Sequence, residues 1–379
     1  MSMIRLIHIS PELPPVVGGV ADYTAILSRR LVEISDGSVK PVLVHAGKEH
    51  VDQIEVDFPV ENLSGRCSSK ALAEAIRRLD SKDKTPTVVL LEYSGYGYSG
   101  HGAPFWLAEG LRHVCGTRGI PLITIFHELY ASSYKPWDAR FWMMPMQRYV
   151  TGRLASISDG CTSNWDAAAR WLERRQVDGK PVRISPTFSN VGEPESLPNY
   201  NERKSYAVCF GGAGRKEEMY RQYGQVLSEI LYQIGIEEIV DLGPSPRKSA
   251  YAEIGISVNP KGIRPESEIS SRLMEASLGI LKHNLHCLKK SGVWASYAAH
   301  GLPTLICGER ETVEELQEGK HFSLANSEMQ STSGFPLISK EVYKWYSNSA
   351  HSERAARCVC EIASVLIEDI DRAVGSVQS

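Results

Sequence analysis

Four short segments carry residue types that can do chemistry. In ITIFHELY an apolar run delivers His127 and Glu128 to what reads as a strand end. A histidine exchanges protons near neutral pH, and an adjacent carboxylate fixes its tautomer or binds a hydroxyl. The competing role is a histidine that caps the following turn. In HISPELPPVVGGVADY, Gly18 and Gly19 remove two side chains just before a helix start, where free N–H groups and the helix dipole favour an anion or a sugar oxygen. Two glycines can equally serve a turn. In CFGGAGRKEEMY, the glycines Gly211, Gly212 and Gly214 precede Arg215 and Lys216 at a helix start, where acidic residues are the norm, so an anionic ligand explains the inversion. A solvated pair is the alternative. No G-K-[ST] follows and the dinucleotide fingerprint is incomplete. In LKKSGVWASYAAHGLPTLI, Lys289, Lys290, Ser291 and Gly292 offer two cations, a hydroxyl and helix-start amides to a diphosphate. An ordinary Ser-capped helix with solvated lysines accounts for the same residues.

Between the first two lies LEYSGYGYSGHGAPFW, with Glu92, Tyr93, Tyr96, Tyr98 and His101. Aromatic faces with hydrogen-bonding tips suit a sugar or aglycone, so Tyr93, Tyr96 and Tyr98 are read as an acceptor wall. A loop that packs over the core is the other reading of each tyrosine.

These segments require strand ends and helix starts to hold them. Short Val-, Ile- and Leu-rich runs alternate with stretches of helical period, the pattern of a parallel sheet flanked by helices. A first series of runs lies at 4–9, 41–45, 87–93, 121–127 and 154–158, and a second at 206–210, 238–242, 254–258, 277–281 and 303–307. Val20, Tyr23, Leu27, Leu31 and Ile34 follow three- and four-residue steps and predict a helix with one buried face. The aperiodic, Pro-, Ser-, Asn- and Glu-rich stretch at 187–204 reads as a linker between an N-terminal domain at 1–186 and a second at 205–340. The tail at 341–379 is helical, with Val359, Ile362, Ala363, Leu366 and Ile370 on one face, and is expected to cross back toward the N-terminal domain. Ligands of open parallel sheets sit beyond the C-terminal strand ends, where all four segments fall.

At 379 residues the chain exceeds what one core supports, so two domains are expected. A net charge of −3 gives no global attraction to nucleic acid. No stretch has the length and apolarity of a membrane span, and the N-terminus lacks the features of a signal peptide. Association with a membrane through short surface patches stays open. Eight scattered cysteines without C-x-x-C spacing fit reduced thiols in a cytoplasm.

HISPELPPVVGGVADYTAILSRRL resembles the opening of family-four glycosyltransferases and glycogen synthases. SNVGEP is similar to their interdomain segment, and SYAAHGLPTLI to the helix, glycine turn and strand of their donor domain. The resemblance runs through nearly the whole chain. It implies an α/β GT-B fold, with two doubly wound Rossmann-like domains facing a cleft. It also implies transfer of a sugar, with retention, from a nucleoside-diphosphate-sugar donor to a glycan or small-molecule hydroxyl acceptor bound by the N-terminal domain. By that resemblance Gly18 and Gly19 face donor diphosphate and acceptor, and His127, beside Glu128, contacts the transferred sugar. Gly212, Arg215, Lys216, Lys290, Ser291 and Gly292 hold the diphosphate, and no metal or other cofactor is needed when basic residues neutralise the leaving group. If the enzyme inverts instead, His127 or Glu128 serves as general base. The family's two glutamates, separated by seven residues, are replaced by Leu288 and Ser296, so donor recognition is altered. That loss motivates an alternative, a catalytically silent glycosyltransferase-like binding protein. A GT-B nucleotide-sugar epimerase is the other, and its cleft needs several carboxylates and histidines that the sequence does not bring together.

Overall fold

The structure is a computed structural model and describes residues 3–16, 18–81, 85–117, 119–131, 135–176, 179–185, 187–313, 315–325 and 331–377. The chain forms two compact units, Met1–Pro186 with Ser352–Ser379, and Thr187–His351.

The first unit contains a parallel sheet of seven strands: β1 (Ile4–Ser10), β2 (Val39–His45), β3 (Val60–Asn62), β4 (Thr87–Tyr93), β5 (Leu122–Phe126), β6 (Gly160–Ser163) and β7 (Val182–Ile184). Their order is β3-β2-β1-β4-β5-β6-β7. Its helices are α1 (Gly19–Ile34), α2 (Ser69–Asp80), α3 (Gly95–Tyr98), α4 (Phe105–Leu111), α5 (Ala139–Ile157) and α6 (Asp166–Glu173). Every residue of β1 and β4 is buried, as expected of strands covered on both faces. The chain winds outward from β1 and then returns to its other side at β4, so the direction of winding switches between these two strands.

The second unit repeats the plan with α7 (Ala213–Gln233), α8 (Lys248–Tyr251), α9 (Glu266–Glu275), α10 (Gly292–Ala299) and α11 (Phe335–Ser349) around a second parallel sheet. Its strands are β8 (Lys204–Phe210), β9 (Glu238–Leu242), β10 (Ser257–Gly262), β11 (Ala276–Lys282), β12 (Thr304–Cys307) and β13 (Ser323–Leu324), in the order β10-β9-β8-β11-β12-β13. Here the switch lies between β8 and β11.

Two expectations are corrected. The run at 154–158 is no strand: Leu154 and Ala155 are the last buried residues of α5, continuing the steps of Gln147, Val150 and Thr151, and the strand follows at Gly160–Ser163. A short apolar run has the same look at the end of a buried helix face as in a strand. The stretch at 187–204 is no free linker. Phe188 and Val191 are buried, the Tyr346 hydroxyl accepts from the Ser189 backbone N–H at 2.8 Å, and the buried Arg203 guanidinium donates to the carbonyls of Leu273, Ala276 and His300, so the segment is part of the second unit.

The last helix, α12 (Ser352–Val377), belongs to the first unit, where it packs along α1. Its buried residues include Val359, Ile362 and Ala363, while the side chain of Ile370 lies outside the described residues.

Candidate functional site

In the first unit the polar residues converge at the switch between β1 and β4. His8 points from β1 and Glu92 from β4, both with no exposed surface, and the His8 Nε2–H donates to Glu92 Oε1 at 2.8 Å. Behind it, the Ser28 hydroxyl of α1 donates to His8 Nδ1 at 2.8 Å. The other carboxylate oxygen accepts from Nε2 of His127, just past β5, at 2.6 Å. One buried carboxylate thus links two imidazoles. Burial alone would raise the Glu92 pKa, but hydrogen bonds and charge from His127 and His8 outweigh it and hold the group below its ordinary value.

The His127 ring is fixed on a second side by Tyr23 of α1, edge to face at 4.8 Å between centroids, and its backbone N–H donates to the Tyr93 carbonyl at 3.1 Å. With Nε2–H committed to Glu92, the ring turns Nδ1 outward, and Nδ1 makes no hydrogen bond among the described residues. A neutral imidazole in this tautomer presents a lone pair, and after taking a proton it is stabilised as imidazolium by the carboxylate behind it. This is the logic of carboxylate–histidine pairs in general-base catalysis. Glu128 is exposed and pairs with nothing among the described residues.

Gly18 stands at the N-cap of α1 in extended backbone that any residue adopts. Its open side-chain position looks onto the Glu12 carboxylate, which a Cβ there would push aside. Burial raises the Glu12 pKa, with Lys48 and His127 opposing and Glu49 adding to the rise. The helix start expected to receive phosphate therefore faces the protein's own carboxylate, and the first turn adds Asp22. A hydroxyl donor suits this end better than a phosphate does. Gly19 is open on its side-chain face.

The acceptor wall needs correction. Tyr93 has no exposed surface, packs edge to face on Phe126 and shares a hydrogen bond with Thr151 at 3.3 Å. Tyr98 is buried and donates to the Glu92 carbonyl at 2.8 Å. Both rings point inward because one ends β4 and the other sits in the short α3 folded back onto it, so neither offers a face to a ligand. Tyr96 is half-buried, its hydroxyl accepting from Gln147 Nε2 at 3.0 Å.

In the second unit the candidate residues gather at the switch between β8 and β11. Gly211 leaves β8 with φ of 137°, a region that favours glycine, and its missing Cβ would lie 3.4 Å from Val293 in the first turn of α10. The starts of α7, capped by Gly212, and of α10 are thereby neighbours. Arg215 is exposed in the first turn of α7. His283, at the end of β11, reports the local field: burial first, and then the positive charge of Arg215, His286 and Lys290, push it below its ordinary value against a hydrogen bond to the Asn284 carbonyl. Arg215 and Lys290 thus act on one histidine, beside the helix starts that Gly212 and Gly292 open.

Ser291 caps α10, its hydroxyl accepting from the Trp294 N–H at 3.2 Å. Lys289 is drawn off to Glu315 at 3.0 Å. Lys216 is corrected outright. It turns inward from α7, nearly fully buried, and pairs with Asp241 of β9, whose other oxygen accepts from Tyr220 at 2.9 Å. A lysine already neutralised in the core has no charge to offer a phosphate. Leu288 and Ser296, which stand where the resemblance expects glutamates, are both buried, and the Ser296 hydroxyl donates to Asn190 Oδ1 at 2.9 Å.

Glu92, His8, Asp241 and Glu12 carry these arrangements without having been assigned a role from the sequence. For Glu92 and Asp241 a signal existed: Glu92 is the lone acid of TVVLLEY, and Asp241 sits between apolar residues in EIVDL, whose other acid, Glu238, only opens the strand; a charge inside such a strand implies a buried partner.

Neither a protein-family model nor a curated protein sequence matches the chain. Solved structures do. A glycosyltransferase from Rickettsia africae is similar over 97% of this chain and 99% of that one, with a TM-score of 0.61 at 11% identity. HepE of Anabaena, solved with UDP, is similar over 96% and 100%, with a TM-score of 0.58 at 10% identity. WaaG, a glycosyltransferase involved in lipopolysaccharide biosynthesis, is similar over 95% and 99%, with a TM-score of 0.55 at 10% identity. At such identities the likeness establishes architecture: the chain has the two-sheet α/β fold of GT-B glycosyltransferases.

Proposed function

We propose that the protein is a glycosyltransferase that moves a sugar from a nucleoside-diphosphate donor to a hydroxyl acceptor, as family-four glycosyltransferases do with retention. The observation that carries this reading is the pair of cations Arg215 and Lys290, whose charge is felt at His283, beside the glycine loop at the switch point of the second sheet. Ligands of open parallel sheets bind at such points, and cations there stabilise a departing diphosphate without requiring a metal. The likeness to HepE, solved with UDP, supports a uridine nucleotide as the first donor to try. In the first unit, taken by itself, His127 is the group offered to the acceptor, and Glu12 accepts a hydrogen bond from an acceptor hydroxyl.

A thermal-shift titration with UDP, GDP and ADP and their sugars tests this. A ligand present at about 100 times its Kd stabilises the folded state by about 2.7 kcal/mol. Arg215→Ala is expected to abolish the shift while leaving the melting temperature without ligand in place. Silence toward every nucleotide would sink the reading and favour a catalytically silent binding protein. One observation favours a second stereochemical reading: Glu92 behind His127 is suited to general-base catalysis at Nδ1, which inversion requires. The anomeric configuration of the product separates the two.

A further inference from the structure

The helix α5 carries a run of six apolar residues, FWMMPM at 141–146, and none of them is buried, because the buried residues of α5 begin only at Gln147. Apolar residues gathered on one exposed surface in this way need a reason. Trp142, Met146 and Tyr149 follow steps of four and three and form one outward stripe. They are 64%, 38% and 60% exposed. Trp137, just before the helix, is 83% exposed, and Phe105, at the start of α4, lies against Tyr149 at 6.1 Å between centroids.

Basic residues predominate around the stripe, although Glu109 of α4, paired with Arg112, lies close enough to Arg153 to feel its charge. Between 135 and 153 Lys135, Arg140, Arg148 and Arg153 stand against the single acid Asp138, in a chain whose net charge is −3. Asp138 is taken up by Arg140 at 2.6 Å, and the Arg148 guanidinium lies 5.2 Å from the centroid of the Tyr130 ring. The Trp142 indole N–H is already satisfied by the Pro136 carbonyl at 2.7 Å. Tryptophan and tyrosine with polar tips, methionine and phenylalanine without them, and a basic border form the composition that seats at the boundary between headgroups and acyl chains. No helix among the described residues is long and apolar enough to cross a membrane, so attachment here would lie in the plane of the interface.

We infer that α5 and the turn before it form a docking surface for an anionic phospholipid bilayer, with Trp137, Trp142 and Tyr149 inserted and Arg148 and Arg153 on the headgroups. The stripe needs no nucleotide, so this surface stands or falls apart from the proposed transferase activity.

Flotation of the full chain with vesicles of phosphatidylcholine and phosphatidylglycerol, against phosphatidylcholine alone, tests it. The protein is expected to float with the anionic vesicles, to be released by high salt, and to show blue-shifted tryptophan emission when bound. Joint replacement Trp137→Ala and Trp142→Ala is expected to weaken binding by about tenfold or more. Arg148→Gln and Arg153→Gln are each expected to weaken it by about fivefold. These side chains are exposed, so unchanged circular-dichroism melting should accompany the loss. A second tryptophan variant, Trp142→Phe, should keep most of the binding. Failure of the native chain to float with anionic vesicles overturns the inference. So does flotation that the tryptophan and arginine variants leave intact, or a stripe found covered by a soluble glycan or a second copy of the chain.

Discussion

At the level of single residues, the sequence pointed to His127 but not to what makes it distinctive. The histidine was legible because an apolar run ended on it. Glu92 stood out as the lone acid of its strand, but its role did not, because its partners His8 and His127 lie 84 and 35 positions away. Lys216 shows the opposite error, since a basic residue beside a glycine loop looks the same in sequence whether α7 turns it outward or, as here, onto Asp241. The Glu92 pair makes a sharp expectation. Glu92→Gln keeps the shape but lets only one amide oxygen accept, so one histidine loses its acceptor and His127 loses the charge that stabilises its imidazolium. If Nδ1 of His127 takes a proton, turnover should fall by about a hundredfold and the pH–rate profile should shift, with the KM for donor nearly unchanged. A profile unmoved by the substitution would assign Glu92 to structure alone.

At the level of elements, the strands were legible wherever both faces are covered, because burial on two sides demands uninterrupted apolar runs. The short strands β3, β7 and β13 escaped notice, at three, three and two residues, and are too brief to set a pattern. The tail is expected from sequence to cross back toward the N-terminal domain, but the residue that receives α12 is not legible there, because it is a missing side chain. Gly160 on β6 is absent from the glycines with positive φ, so backbone freedom does not explain it, but a Cβ there would come 2.5 Å from Ile362 Cγ2 of α12. Gly160→Ala should therefore cost about 1–3 kcal/mol through overpacking. Ile362→Val keeps that γ-carbon branch and should rescue little, whereas Ile362→Ala should restore part of the loss in a double-mutant cycle followed by urea denaturation. Additive losses would mean that α12 does not press on Gly160.

On the scale of the whole molecule, the two units repeat one plan with different titrating groups in their cores, and this gives them different responses to acid. In the second unit His300 is fully buried, its Nδ1–H donating to the Ser296 carbonyl at 2.7 Å and its Nε2 accepting from the Ser270 hydroxyl at 2.8 Å. Burial, assisted by the positive charge of Arg203 and opposed by the bond to Ser296, pushes its pKa down from 6.5 to about 4. The unfolded chain therefore takes up this proton first, so the second unit loses stability as pH falls from about 6.5 and has lost the full contribution near 4, up to roughly 3 kcal/mol. In the first unit Glu92 has a dependence of the same sign in a lower window: its folded pKa lies below 4.5, so its contribution is complete above that value and is lost only as pH falls further. Between pH 6.5 and 4.5 the second unit should weaken while this term of the first does not. His45 of the first unit is also pushed below its ordinary value by burial and weakens that unit in the same window. The measurement that isolates His300 is therefore urea denaturation at pH 7 and pH 5 with and without His300→Gln, which, less stable at pH 7, should flatten the slope of the second unit alone. A nucleotide bound at Arg215 and Lys290 would stabilise the second unit. The same titration repeated with saturating UDP should then raise only the second transition, and a rise in the first instead would move the donor site off the glycine loop at Gly211.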